Sequence, residues 1–91
     1  MEQIELVALK NEWEKLDDLL SASLTSAETY SLECHGPCDC LVQEGSTKPT
    51  DMGGIKLDKD GMKLLSYTVG ADDLWVRGVG GFSSLNITKT S

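Results

Sequence analysis

The chain reads as mainly β: a small single-domain β-sandwich or barrel of five to seven short antiparallel strands. Three observations predict this. From Tyr30 onward apolar residues recur at every second position, the period of a half-buried strand. Turn signals rich in Gly, Pro and Asp return every eight to twelve residues or so, the spacing of a sandwich or small barrel. Ninety-one residues suffice for one core of modest size and leave no room for a second domain.

The N-terminal segment, residues 1–20, admits two readings. Leu6, Leu9, Trp13, Leu16 and Leu20 follow at steps of 3, 4, 3 and 4, the stripe of an amphipathic helix. Ile4, Leu6 and Ala8 also alternate with Glu5 and Val7, as in a strand, with Asn11 marking a turn. The chain therefore divides into a segment 1–20, for docking or oligomerisation, and a β domain 21–91. Ser21 to Glu28 is a small polar connection.

Tyr30, Leu32 and Cys34 alternate with Ser31 and Glu33, then His35-Gly36-Pro37 turns the chain into Cys38, Cys40 and Val42. The pair reads as a hairpin. Glu44 to Gly54 is a loop by composition. Ile55 and Leu57 lead through Asp58-Lys59-Asp60-Gly61, a tight-hairpin signal, into a strand over Met62 to Val69. Leu74-Trp75-Val76-Arg77 and Phe82 to Thr88, joined by Gly78, Gly80 and Gly81, form a terminal hairpin. Trp75, its largest apolar group, is expected at the centre of the core. The full expected core is Trp13, Tyr30, Leu32, Val42, Leu57, Leu65, Tyr67, Trp75, Leu85 and Ile87.

Charge and composition narrow the function. Fifteen acidic against eight basic side chains give a net charge of -7, which argues against a nucleic-acid partner. No run of eighteen apolar residues exists, so no membrane helix is expected. The N-terminus lacks a basic region followed by an apolar one, which argues against export by a signal peptide. Three cysteines within seven residues are no disulfide framework and suit synthesis in a reducing compartment.

Several groupings carry candidate chemistry, and for each a structural role is the stronger reading. Cys34-His35-x-x-Cys38-x-Cys40 has zinc-ligand residue types but only one knuckle where structural sites draw on two. Free thiols are the leading reading. A metal, or a Cys34–Cys38 or Cys34–Cys40 bridge formed on oxidation, stays open. A cysteine activated by His35 lacks a third orienting group. Asp58-x-Asp60-Gly61 begins like a calcium loop without its downstream ligands. Asp72 and Asp73 have no partner acid at a definable distance, and Gly78-x-Gly80-Gly81 precedes no helix that could cradle phosphate. Asn86-Ile87-Thr88 has the form of a glycosylation acceptor but reads as strand. Trp13 or Trp75 could stack on a sugar, with packing the stronger role for both. No catalytic, cofactor or metal residue is assigned, and no enzyme is expected.

Trp13 with Leu16, Tyr30-x-Leu32, Val42-Gln43-Glu44, Pro49, Gly53-Gly54, Ile55-Lys56-Leu57 with its Asp-Gly turn, and Leu74-Trp75-Val76-Arg77 before a Gly-rich turn follow one another in order. In this succession, over about residues 11–88, the chain resembles small β-barrel or β-sandwich virion proteins of tailed bacteriophages. The resemblance implies a strand over residues 1–10, leaving a short helix or helical turn within 12–20. It implies a non-enzymatic structural protein of the virion, in capsid decoration or a head-fibre or tail part. Such a protein is made in the host cytoplasm and assembles with copies of itself, a trimer among the options, and with major capsid or tail proteins. The alternative is a carbohydrate-binding or receptor-binding module using an exposed aromatic.

Overall fold

Alternation of buried and half-buried side chains runs through most of the long strands. The computed structural model describes residues 2–21, 24–59 and 64–90. Within them lie eight strands and one helical turn: β1 (Glu2–Leu9), β2 (Glu14–Lys15), α1 (Leu16–Leu19), β3 (Thr29–Cys34), β4 (Cys40–Gly45), β5 (Ile55–Leu57), β6 (Leu64–Thr68), β7 (Asp73–Gly78) and β8 (Ser83–Lys89). Tyr30, Leu32 and Cys34 of β3 point inward, as do Leu74, Val76 and Gly78 of β7 and Ser83, Leu85 and Ile87 of β8. The expected β-sandwich is thus present, with eight strands instead of five to seven. The excess comes from short pieces such as the two-residue β2.

Two four-stranded sheets face each other, one in the order β1-β8-β3-β6 and the other in the order β2-β7-β4-β5. All pairings are antiparallel. Strands 1, 8, 3, 6 opposite 2, 7, 4, 5 is the order of an eight-stranded jelly roll, in which the chain crosses repeatedly between sheets. Val7, Leu9, Leu16, Leu20, Tyr30, Leu32, Cys34, Cys40, Val42, Leu57, Leu74, Val76, Leu85 and Ile87 fill the space between them.

This topology corrects the three hairpins expected from the sequence. β3 and β4 lie in different sheets, so the 35–39 connection is an arch between them. β5 and β6 are likewise separated; Asp60 and Gly61 of their expected turn, and Met62 and Lys63 of the expected strand, fall outside the described residues. β7 and β8 cannot pair, because β2 and β4 occupy both edges of β7 while β1 and β3 occupy both edges of β8. The strands adjacent in sequence that do pair are β4 and β5, through the 46–54 loop.

Residues 2–20 are also not set apart from the β domain. β1 pairs along its length with β8, and Val7, Leu9, Leu16 and Leu20 sit in the common core. Strand alternation prevails over the helical stripe: Leu9 is buried while Leu6, on the opposite face, is 54% exposed. Helix is confined to α1, whose flanking residues Lys15 and Leu20 are both extended.

Of the expected core, Trp13, Tyr30, Leu32, Val42, Leu57, Leu85 and Ile87 are buried, while Leu65 and Tyr67 pack against the core partly buried. Trp75 is the exception. Leu74 and Val76 take the inward positions of β7, which turns Trp75 and Arg77 to the outer face of the second sheet.

Candidate functional site

The outer face of the second sheet gathers both tryptophans and two cations. Register places Trp75 of β7 between Lys15 of β2 and Gln43 of β4. The Lys15 ammonium lies 5.8 Å from the Trp75 ring centre, within reach of a cation–π attraction, and 3.4 Å from Asp73 Oδ2. The Trp75 indole N–H donates to the Gly45 carbonyl at 3.0 Å. A half-buried indole is thus fastened on the outer face by its N–H, with Gln43 and the Lys15–Asp73 ion pair beside it. Gln43 Oε1 is buried with no hydrogen-bond partner among the described residues.

Trp13 is anchored more deeply. It is 5% exposed, and its indole N–H donates to the Asp51 carbonyl at 2.8 Å, which pins the 46–54 loop across this face. Arg77 lies over the Trp13 ring at 5.9 Å. Its guanidinium also donates to the Asn11 carbonyl and to Asn11 Oδ1, at 3.0 and 2.6 Å, and to the Gly78 carbonyl at 3.0 Å. Those bonds occupy Arg77 in fastening the 10–13 connection. It is a positioning residue for the loop and has little left to offer a ligand.

The cysteine cluster splits in two. Cys34 and Cys40, buried at the end of β3 and the start of β4, bring their sulfurs to 2.7 Å of each other. Ser83 Oγ lies 3.3 and 3.1 Å from them and donates to the Cys38 carbonyl at 2.5 Å. Removal from water, reinforced by the neighbouring Cys34 thiol, pushes the Cys40 thiol up to about 12. His35 points the other way: it is exposed and bonds Glu33 Oε1 at 2.6 Å. Thiol and imidazole therefore do not meet as nucleophile and base. Among the described residues, no three or more His, Cys, Asp or Glu side chains come together in a way that could hold a metal ion.

The remaining candidates are also separated. Asp73 is paired with Lys15, and Asp72 is exposed. Asp17 borders the same small pocket as Tyr67 and Asp73, but its carboxylate accepts the Leu24 N–H at 3.1 Å. Burial raises the Tyr67 phenol above its ordinary value, with the Glu44 charge adding to the effect. Asp58 is exposed, and Asp60 lies outside the described residues. Asn86 occupies a half-buried outer position of β8.

Among the described residues, four large apolar side chains stand in water: Phe82 at 74% exposure, Leu6 at 54%, Met52 at 51% and Ile55 at 44%. Leu6 lies in the segment 1–20 read for docking and Met52 in the Glu44–Gly54 loop, but the sequence marked neither Phe82 and Ile55 as exposed nor Ser83 as the buried hydroxyl between the thiols. A signal existed for Leu6, which takes the opposite phase from Val7 and Leu9. Phe82, between a Gly pair and a Ser pair, offered none. Family models, curated proteins and solved structures were compared with the chain, and none matches.

Proposed function

We propose that this chain is a non-enzymatic structural protein of a tailed-phage virion, in head decoration or a fibre or tail part, and that it works by assembling in several copies. The observation that carries the reading is the strand order of a jelly roll, an architecture that recurs in viral capsid and lectin domains. This is an argument by fold analogy, and the motif succession from Trp13 to Arg77 adds to it. The surface supplies physical means. Leu6 projects from edge strand β1, and Phe82 from the β7–β8 connection, apolar groups that gain by being covered. Contacts of that kind, repeated by symmetry, build closed oligomers and lattices.

Light scattering on the full chain tests the assembly step. A discrete oligomer is expected, falling toward monomer in Leu6→Asp or Phe82→Asp while the circular dichroism of the sheets is retained. Monomer at every concentration of the unaltered chain would overturn self-assembly.

A second reading is favoured by one observation: Trp75 lies on the outer face instead of in the core. A half-buried indole on the outer face beside Lys15 and Gln43 suits stacking on a sugar ring, so the chain would serve as a carbohydrate-binding or receptor-binding module. Glycan-array binding lost in a folded Trp75→Ala protein supports this reading, and binding unaffected by that change removes it.

A further inference from the structure

We propose that Cys34 and Cys40 form a covalent modification site: a buried disulfide that ties the two sheets together and leaves Cys38 as the remaining thiol. The two residues close one arch, Cys34 ending β3 in the first sheet and Cys40 opening β4 in the second. Their sulfurs, 2.7 Å apart, need to approach by only about 0.7 Å to reach bonding distance. Both are fully buried, so the side chains are held in place by the core around them. Cys38 is turned elsewhere. Its carbonyl accepts from the Cys34 thiol at 3.2 Å and from Ser83, while its sulfur lies against Gly81, 3.1 Å from where a β-carbon on that glycine would stand.

The oxidant is a small disulfide such as oxidised glutathione. A thiolate of the pair attacks one glutathione sulfur, the glutathione S–S bond breaks, and the first glutathione leaves and takes up a proton. The second protein thiolate then attacks the mixed disulfide, a protein S–S bond forms, and the second glutathione leaves as a thiol. Two protein thiols are oxidised and one glutathione disulfide is reduced to two thiols. Because the folded core withholds these sulfurs from solvent and keeps Cys40 protonated, closure occurs as the sheets come together or reopen. Once made, the bond is hidden from reductants by the same packing. Ser83, within 3.3 Å of both sulfurs, keeps the neighbourhood polar without competing for the bond.

The test is to refold the full chain in a glutathione redox buffer and, in parallel, under reducing conditions. The oxidised sample should lose about 2 Da, retain a single alkylatable thiol at Cys38, and unfold roughly 10 °C higher, the gain expected for a loop this short. Cys38→Ser should show the same mass loss, and Cys34→Ser should show none. Because Cys34→Ser could fail to fold, Cys38→Ser at the half-buried position is the deciding variant. Three alkylatable thiols after oxidative refolding would overturn the proposal. So would a bridge that includes Cys38, or covalent dimers alone.

Discussion

Trp13 and Trp75 share one face of the second sheet and differ in how that face covers them. Trp13 lies under the 46–54 loop with its N–H bonded to the Asp51 carbonyl, whereas Trp75 keeps part of its ring in water. Replacing Trp13 by Ala removes a buried ring and releases the loop, at a cost of about 3–5 kcal/mol. Trp75→Ala removes a half-buried ring and a weak cation–π contact, at about 1 kcal/mol. Urea unfolding of the two variants measures the difference, and the order should not invert. The alternation around Trp75 was visible in the sequence, but its phase was not. Placing Trp75 inside seemed the richer burial, yet Arg77 shares its side of the strand. The inward set Leu74, Val76, Gly78 avoids burying a guanidinium.

Cys40 makes the stability of the fold depend on pH. Its folded thiol is held up at about 12 against an ordinary value of 9.0. The native state therefore keeps the proton more tightly than the unfolded chain. The corresponding stability is fully present below pH 9 and is lost as pH climbs toward 12. Thermal unfolding of the reduced protein should weaken across that window. Cys40→Val should remove this part of the alkaline loss.

Among the elements, the strands from Tyr30 onward were legible to within about two residues, those of the first twenty residues were left open between strand and helix, and how strands pair was not legible. Alternation marks a strand whichever sheet it enters, and a Gly-Pro or Asp-Gly turn serves an arch as readily as a hairpin. What decides is which strand edges are left free, a non-local property of the whole topology. The arch from β3 to β4 is secured by Asp39, which accepts the Lys59 N–H at 2.8 Å and faces the Lys56 ammonium at 3.3 Å. The bond from the Lys59 backbone, aided by both lysine charges, holds its carboxyl below the ordinary 3.8. A group lowered on folding supports the fold above 3.8 and loses that support as pH falls through its lower folded value. Carboxyl NMR should find Asp39 titrating below the ordinary 3.8, and Lys56→Ala should move it upward.

The β7–β8 connection depends on a glycine for room. A side chain at Gly78 would run into the Gly81 carbonyl, because the connection folds back over the end of β7. Gly78→Ala should destabilise by about 1–3 kcal/mol in urea unfolding, through overpacking against backbone that cannot swing away.

For the molecule as a whole, the N-terminal twenty residues decide between an appendage and a core. Val7, Leu9, Leu16 and Leu20 are buried with the rest. At about 1.5–3 kcal/mol for each, their loss amounts to about 6–12 kcal/mol, comparable to the whole stability of a small domain. A chain lacking residues 1–20 should therefore show no cooperative unfolding. The helical stripe in this segment concealed its role, since Leu9, Trp13, Leu16 and Leu20 are all buried without forming one helix. The candidate interaction surface was less legible still. Exposure of Phe82 and the outward turn of Trp75 follow from sheet packing and crossing connections, which no local pattern records.

Virion residence is tested most directly by density-gradient purification of phage particles from the lysate in which this chain is made, with quantitative mass spectrometry of the particle band. The chain should appear in the band at a fixed copy number per particle, in proportion to the major capsid or tail protein across preparations. A chain confined to the soluble fraction, or present in the band at a ratio that falls with each further purification, would contradict it.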